Sequence, residues 1–539
     1  MSNSAPTATL LEPVATIPQL VKQAAETYGD QIFLEDGNTK ISFKDFEVQC
    51  AQLAAALISK GIEKGDRIGV WAPNTIEWVI AAVGAQCAGA VLVTLNTRYK
   101  ATEAAYILNA SRAKMVFSVG FFLDTDYPAA LLEQELPHLE SIVVFPSDQK
   151  TSAEHTPWAA LLDSGCMLDN NTSELVKQRM NDVQSDDVSD ILFTSGTTGN
   201  PKGVQTCHKQ NLRAFSTFSD ILGLEKGDRY LVINPFFHSF GYKAGILACL
   251  LKGVTLLPHA VFDASVVLER ISKDQISVLP GPPTLFQSLL AHPDLKKHDI
   301  STLKRATTGA AVIPVEMIHQ MKSELGFETV ITAYGLTESC GLVTMCRSGD
   351  SAETIATTSG RVIPDVELRC VDSDNNEVSR GEPGEICFRG YNVMKGYFEN
   401  DKATEETIDE EGWLHTGDIG VMDEAGNLKI TDRLKDMFIT GGFNCYPAEI
   451  EKLMTAHDAI TMCAVIGIPD ERMGEVAMAF IVLNPGSTLN ESELITWCRE
   501  KMANYKVPRK IAFVEALPLN ASGKVVKPEL KKIATEEYL

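Results

Sequence analysis

The stretch ILFTSGTTGNPKG, Ile191 to Gly203, decides how the first half of the chain is read. Ile191, Leu192 and Phe193 form an apolar run of strand type. Thr194, Ser195, Gly196, Thr197, Thr198 and Gly199 then offer only hydroxyls and glycines, and Lys202 adds a positive charge. Glycine lets backbone N–H groups approach an anion closely, and serine and threonine hydroxyls supply further donors. A strand running into such a loop suits a polyphosphate. The spacing G-x-x-x-x-G-K-[ST] is not met, so this is not a Walker A motif. A plain Gly/Thr hairpin is the competing reading, and the lysine argues against it.

Outward from this loop the pattern alternates. Residues 44–60 read as an amphipathic helix, 67–72 as a buried strand, 75–88 as a helix and 90–95 as a strand; the alternation resumes at 229–234, 245–257 and 276–290. Strand–helix alternation predicts parallel sheets covered by helices. The longest apolar run, Trp78 to Leu95, contains Gly84, Gln86 and Gly89 and reads as a buried helix followed by a strand, not an integral membrane segment. Past residue 355 the character changes. Residues 360–432 carry short strands and many turn signals, and beyond Asp432 a smaller α/β unit follows: helix 447–455, strands 462–466 and 477–483, helix 491–502, strand 510–514. The expected domains are 1–432 (1–355 in α/β sheets, 356–432 β-rich and barrel-like) and 433–539.

A chain of 539 residues exceeds one ordinary core. Its formal net charge of -23 argues against a nucleic-acid binder, which would show a basic face. The twelve cysteines include no CxxC pair, so reduced, mostly buried thiols of a cytoplasmic protein are expected. The first twenty residues lack the basic start and apolar run of a signal peptide.

Four further motifs follow in order: YGLTE (Tyr334 to Glu338), GWLHTGD (Gly412 to Asp418), DRLKD (Asp432 to Asp436) and NASGK (Asn520 to Lys524). With the loop at 191–203 they resemble the signatures of the adenylate-forming superfamily, which comprises acyl-CoA synthetases, luciferases and the adenylation domains of peptide synthetases. The resemblance implies a reaction in two halves. A carboxylic acid and ATP give acyl-AMP and pyrophosphate, and the acyl group then passes to coenzyme A. It implies ATP, Mg²⁺ and CoA as cofactors, a small-molecule acid as substrate, and a homodimer as an allowed assembly.

The resemblance also assigns roles. Thr194 to Gly199, Lys202, Tyr334, Asp418, Arg433 and the segment Gly309, Ala310, Ala311 would contact ATP or AMP. Thr337 would hydrogen-bond the phosphate and Glu338 would hold Mg²⁺, for which carboxylate oxygen is the preferred ligand. Asp418, acceptor-only, could take both ribose hydroxyls. Lys524 would bridge carboxylate and α-phosphate oxygens that otherwise repel. Lys435 would be the hinge of a mobile C-terminal domain, and Gly441 and Gly442 would let pantetheine pass. His238, Tyr242, Lys243, Gly281 and Cys340 would line the acyl pocket.

Plainer readings stand beside several of these. Thr337 and Glu338 could cap a helix, Asp418 could be a turn aspartate, His238 a core histidine, and Lys524 a solvated loop lysine. Lys243 sits in an apolar, aromatic stretch (Phe236 to Ile246). Either its stem lies along the surface with its head in water, or the head donates to an oxygen of the acid. The segments at 235–245, 279–284 and 332–338 look most like ligases acting on the propionate side chain of a bicyclic indanedione from steroid-ring breakdown, and are similar also to medium-chain fatty-acid ligases. An enzyme loading a carrier protein, a luciferase-like oxygenase and a non-catalytic nucleotide-binding regulator are the alternatives.

Overall fold

The computed structural model describes residues 14–147, 149–166, 170–194, 201–309, 313–433, 436–440, 443–470, 472–502, 504–520 and 523–538. The chain packs as two compact units. The first runs to Val366, with Arg389–Glu406 added; the second comprises Glu367–Phe388 and the chain from Thr407 onward.

In the first unit an eight-stranded sheet has the order Gly396–Tyr397, Lys202–Cys207, Val188–Thr194, Val91–Thr94, Arg67–Trp71, Ala113–Ser118, Ser141–Val144, Thr156–Pro157. From Val188–Thr194 to Thr156–Pro157 every pairing is parallel, as strand–helix alternation requires. A second sheet has the order Arg229–Val232, Thr255–Pro258, Ile32–Asp36, Thr39–Ser42, and a third runs Arg305–Thr308, Thr329–Tyr334, Thr344–Met345, Arg361–Val362. Val278 bridges Tyr230 and Arg305 and so links the two.

Helix Ile76–Cys87 shows why the long apolar run needs no membrane. It is buried along its whole length, and a Cβ on Gly84 would sit 2.7 Å from Leu53 Cδ2, so the small residue is what lets helix Phe43–Ser59 pack there. Among the described residues no helix is long and apolar enough to cross a membrane. All twelve cysteines are free and most are buried, as expected.

The second unit holds a four-stranded sheet, Val366–Val371, Pro383–Gly390, Leu414–Met422, Leu428–Arg433, whose last two pairings are antiparallel. Beyond it, Ile460–Asp470 and Gly474–Leu483 pair antiparallel, and Lys510–Phe513 joins the latter in parallel. Alternate residues of strand Gly474–Leu483 enter two separate apolar clusters. Ala477, Ala479 and Ile481 meet helices Pro447–Met454 and Glu491–Lys501, while Val476, Met478 and Phe480 meet Leu530 of helix Lys527–Ile533. The expected α/β class, with a large N-terminal part, a curled antiparallel part and a small C-terminal α/β part, is what the chain adopts.

Candidate active site

Strands Val188–Thr194 and Lys202–Cys207 form an antiparallel hairpin with Thr194 opposite Lys202, and the Thr194 hydroxyl donates to the Lys202 carbonyl at 3.4 Å. The hairpin thus sets Thr194 and Lys202 side by side. Ser195, Gly196, Thr197, Thr198 and Gly199 themselves lie outside the described residues. Gly203 is needed for packing: a Cβ there would come within 2.8 Å of Ile191 Cγ2.

The YGLTE segment leaves strand Thr329–Tyr334 and enters a 3₁₀ turn at Thr337–Ser339. The turn is capped by Ser339, whose hydroxyl accepts the Leu336 N–H at 2.8 Å. Thr337 and Glu338 are therefore not the cap, and their side chains are left for other work. One oxygen of Glu338 accepts the Tyr397 hydroxyl at 2.9 Å. The Tyr397 ring in turn lies under the Lys202 ammonium, 4.8 Å from its centroid. Tyr397 was missed by the sequence reading. It sits 59 residues from Glu338, and no local pattern marks it.

His238 is exposed, and its Nδ1 accepts the Phe240 N–H at 3.2 Å at the start of a short helical turn. The core-histidine reading is thereby excluded. Gly309 has φ 158°, extended backbone; Ala310 and Ala311 lie outside the described residues. Gly281 is buried, and a Cβ on it would meet Leu285 at 2.7 Å. Cys340 is fully buried at a left-handed φ of 57°, and burial pushes its thiol up to about 12. Tyr242 is likewise enclosed; its hydroxyl accepts from Gln86 at 2.7 Å, and burial raises its pKa far above the ordinary phenol value.

Lys243 requires a correction. Its head does not lie in solvent; it faces a buried carboxylate of the chain itself. It is 0% exposed, within a π-helical turn, Tyr242–Leu247. Its ammonium lies 3.0 Å from Asp190 Oδ1 and donates to Thr206 Oγ1 at 3.0 Å. Asp190 is itself fully buried and also accepts from Thr206, Ser189 and Asn211. A charge in an apolar stretch needs a partner, and the partner comes from the hairpin strand: Asp190 stands opposite Thr206 in register. The pair props the hairpin from beneath.

Within the second unit, GWLHTGD is folded around two carboxylates. Asp409 Oδ1 accepts the N–H groups of Glu411 and Trp413. Glu385 accepts from His415 Nδ1 at 2.9 Å through one oxygen and from Gly417 N–H at 3.0 Å through the other. Gly417 supplies a left-handed φ of 67°. The Thr416 hydroxyl accepts the Asp418 N–H at 3.0 Å. Asp418 consequently sits in strand Leu414–Met422, buried and opposite Arg433, and is no loose turn residue. The side chain of Arg433, together with Lys435, Gly441 and Gly442, lies outside the described residues. Glu385, Cys387 and His415 bring three metal-ligand atoms within 4.8 Å of one another, and hydrogen bonds already occupy both oxygens of that carboxylate.

Lys524 is exposed on a turn that the NASGK motif builds for itself. The Lys524 N–H donates to Asn520 Oδ1 at 2.9 Å, and Asn520 N–H donates to the Lys524 carbonyl at 2.8 Å. Gly523 takes φ 78°, and Leu519 and Val525 bridge on either side. Asparagine, glycine and lysine at this spacing make a closed turn presenting one ammonium.

The chain is similar to known proteins along nearly its whole length. The family model "AMP-binding enzyme" matches residues 21–398, and its "C-terminal domain" model matches residues 449–524. A 3-[(3aS,4S,7aS)-7a-methyl-1,5-dioxo-octahydro-1H-inden-4-yl]propanoyl:CoA ligase of Rhodococcus jostii is 46% identical over 97% of this chain and 99% of its own. A mitochondrial medium-chain acyl-CoA ligase of Bos taurus is 33% identical over 96% of this chain and 87% of its own. The structure of O-succinylbenzoate coenzyme A synthetase from Bacillus subtilis, in complex with ATP and magnesium ion, superposes with a TM-score of 0.78 at 26% identity, covering 95% of this chain and 99% of that one.

Proposed function

The chain belongs to the AMP-binding enzyme family and is an AMP-forming acyl-CoA ligase, and from that premise we propose that its acid is the propanoate side chain of a methylated, dioxygenated hydrindane, the ring pair left by steroid degradation. The observation that carries this reading is the 46% identity, maintained over nearly the full length of both chains, to a ligase named for that acid. The medium-chain fatty-acid reading draws on a lower identity, 33%.

The mechanism uses this chain's residues as follows. The acid's carboxylate oxygen attacks the α-phosphorus of ATP and pyrophosphate leaves. The loop Thr194–Gly199, closed by the hairpin, and Lys202 hold the β- and γ-phosphates. Tyr334 and the segment Gly309–Ala311 would flank the adenine, and Thr337 would donate to the α-phosphate. Glu338 is fit for Mg²⁺: a hard carboxylate oxygen at a turn that does not use it as a cap. Bound there, the ion would offset phosphate charge. Asp418 and Arg433 would take the ribose hydroxyls. Lys524 would draw the carboxylate and the α-phosphate together, a placement that accounts for much of the rate in such reactions. Rotation of the C-terminal domain about Lys435 would then replace Lys524 by the segment holding Gly441 and Gly442, beside which the CoA thiol attacks the acyl carbon and AMP leaves. His238, Gly281 and Cys340 are the proposed acyl-pocket positions, with Tyr242 behind them.

The test is a direct competition. With ATP, Mg²⁺ and CoA, kcat/KM for the dioxo-hydrindane propanoate should exceed that for octanoate by about tenfold or more, because a site built around ring oxygens leaves polar groups unpaired against an alkyl chain. An equal or higher value for octanoate would overturn the ring-acid assignment and favour the medium-chain reading.

A further inference from the structure

The strand Gly396–Tyr397 pairs antiparallel with Lys202–Cys207, Tyr397 opposite Val204. Its flanking residues hold it there: Lys395 N–H donates to the Gln205 carbonyl and Phe398 N–H to the Gly203 carbonyl. One residue earlier, Met394 N–H donates to the Glu338 carbonyl at 2.9 Å. The five-residue segment 394–398 thus ties the strand leaving the phosphate loop to the backbone of the YGLTE turn. Tyr397 repeats that tie with its side chain. Its hydroxyl donates to Glu338 Oε1, and its ring carries the Lys202 ammonium.

We infer that Tyr397 is a positioning residue for adenylation, setting with one side chain both the carboxylate of Glu338 and the ammonium of Lys202. The inference rests on the reading that Glu338 holds Mg²⁺ and Lys202 holds phosphate. A carboxylate accepts at about four lone-pair sites, so one hydroxyl orients it and leaves room for a cation. A hydroxyl–carboxylate bond is charge-assisted and strong enough to select one orientation. The aromatic face restrains an ammonium that would otherwise sample many rotamers. Groups that orient a ligating carboxylate typically change metal affinity by about 10–100-fold. A merely structural tyrosine would need a polar partner at its buried tip, but nothing would require that partner to be the carboxylate of this motif.

The experiment uses the full chain, a non-hydrolysable ATP analogue and Mn²⁺ followed by electron paramagnetic resonance. Tyr397→Phe keeps the ring and removes the hydroxyl. It should weaken Mn²⁺ binding to the enzyme–analogue complex about tenfold and leave analogue affinity in EDTA unchanged. Tyr397→Leu removes both contacts and should weaken analogue binding in EDTA as well. Raised Mg²⁺ should restore acyl-AMP formation in Tyr397→Phe and not in Tyr397→Leu. Glu338→Gln separates the two levels. If Glu338→Gln binds Mn²⁺ as the wild type does, the metal assignment itself fails and the inference with it. If Glu338→Gln loses Mn²⁺ while Tyr397→Phe matches the wild type, the metal assignment stands and the positioning role of Tyr397 is overturned.

Discussion

Lys243 and Lys524 make opposite use of one ammonium. Lys243 lies in an aromatic, apolar stretch and looks out of place there; Lys524 lies in a polar loop and looks ordinary. The structure buries the first completely, between Asp190 and Thr206, and exposes the second on a turn closed by Asn520. The conspicuous lysine is a strut and the ordinary-looking one is the proposed catalytic group. Sequence neighbourhood shows that a charge needs explaining. Only its partner shows whether the explanation is stability or chemistry.

The largest effect is expected at Lys243. Lys243→Met leaves Asp190 buried without its counter-ion, and loss of one member of a buried pair costs about 3–5 kcal/mol. Equilibrium urea unfolding should show that loss. The double variant Asp190→Asn/Lys243→Met should recover a large part of it, since a buried pair can be replaced more cheaply than halved. A Lys243→Met protein as stable as the wild type, with a changed preference between acids, would return this residue to the acyl pocket.

A smaller effect sharpens the same region by pH. His208 begins helix His208–Leu222 just beyond the hairpin, and its Nδ1 accepts the Ile17 N–H at 3.3 Å. Burial lowers its pKa from 6.5 to about 4, against the pull of Asp190 and Asp187; Lys64 adds to the lowering. The folded chain therefore keeps this imidazole neutral where the unfolded chain would protonate it. Stability from this residue is unaffected well above pH 6.5 and falls as pH drops from 6.5 toward 4. Between pH 7 and 5 the loss amounts to about 2 kcal/mol. Urea unfolding of the wild type and His208→Asn at both pH values isolates it: the variant should lack that share of the slope. An identical pH slope would place the titrating group elsewhere.

The same contrast explains what the chain revealed in advance. Helices at 44–60 and 75–88 and the strands at 67–72 and 90–95 were legible because each is one uninterrupted run of helical or strand character ended by turn residues. They appear as Phe43–Ser59, Ile76–Cys87, Arg67–Trp71 and Val91–Thr94. Motifs such as NASGK were legible because they are local: Asn520, Gly523 and Lys524 build their own turn. Tyr397 and the Asp190–Lys243 pair were not, because each depends on strand neighbours distant in sequence: Tyr397 is 59 residues from Glu338 and Lys243 is 37 from Thr206.

A single-turnover experiment on Lys524→Ala measures the proposed role of this lysine directly. With MgATP and the acid, acyl-AMP formation should fall by about 10²–10³, the value of one positioned donor at developing charge. Thioester formation from supplied acyl-AMP and CoA should proceed near the wild-type rate, and the unfolding midpoint should not move, since the side chain is exposed on its turn. Equal loss in both half-reactions, or undiminished acyl-AMP formation, would contradict the assignment of Lys524 to the first half of the ligase reaction.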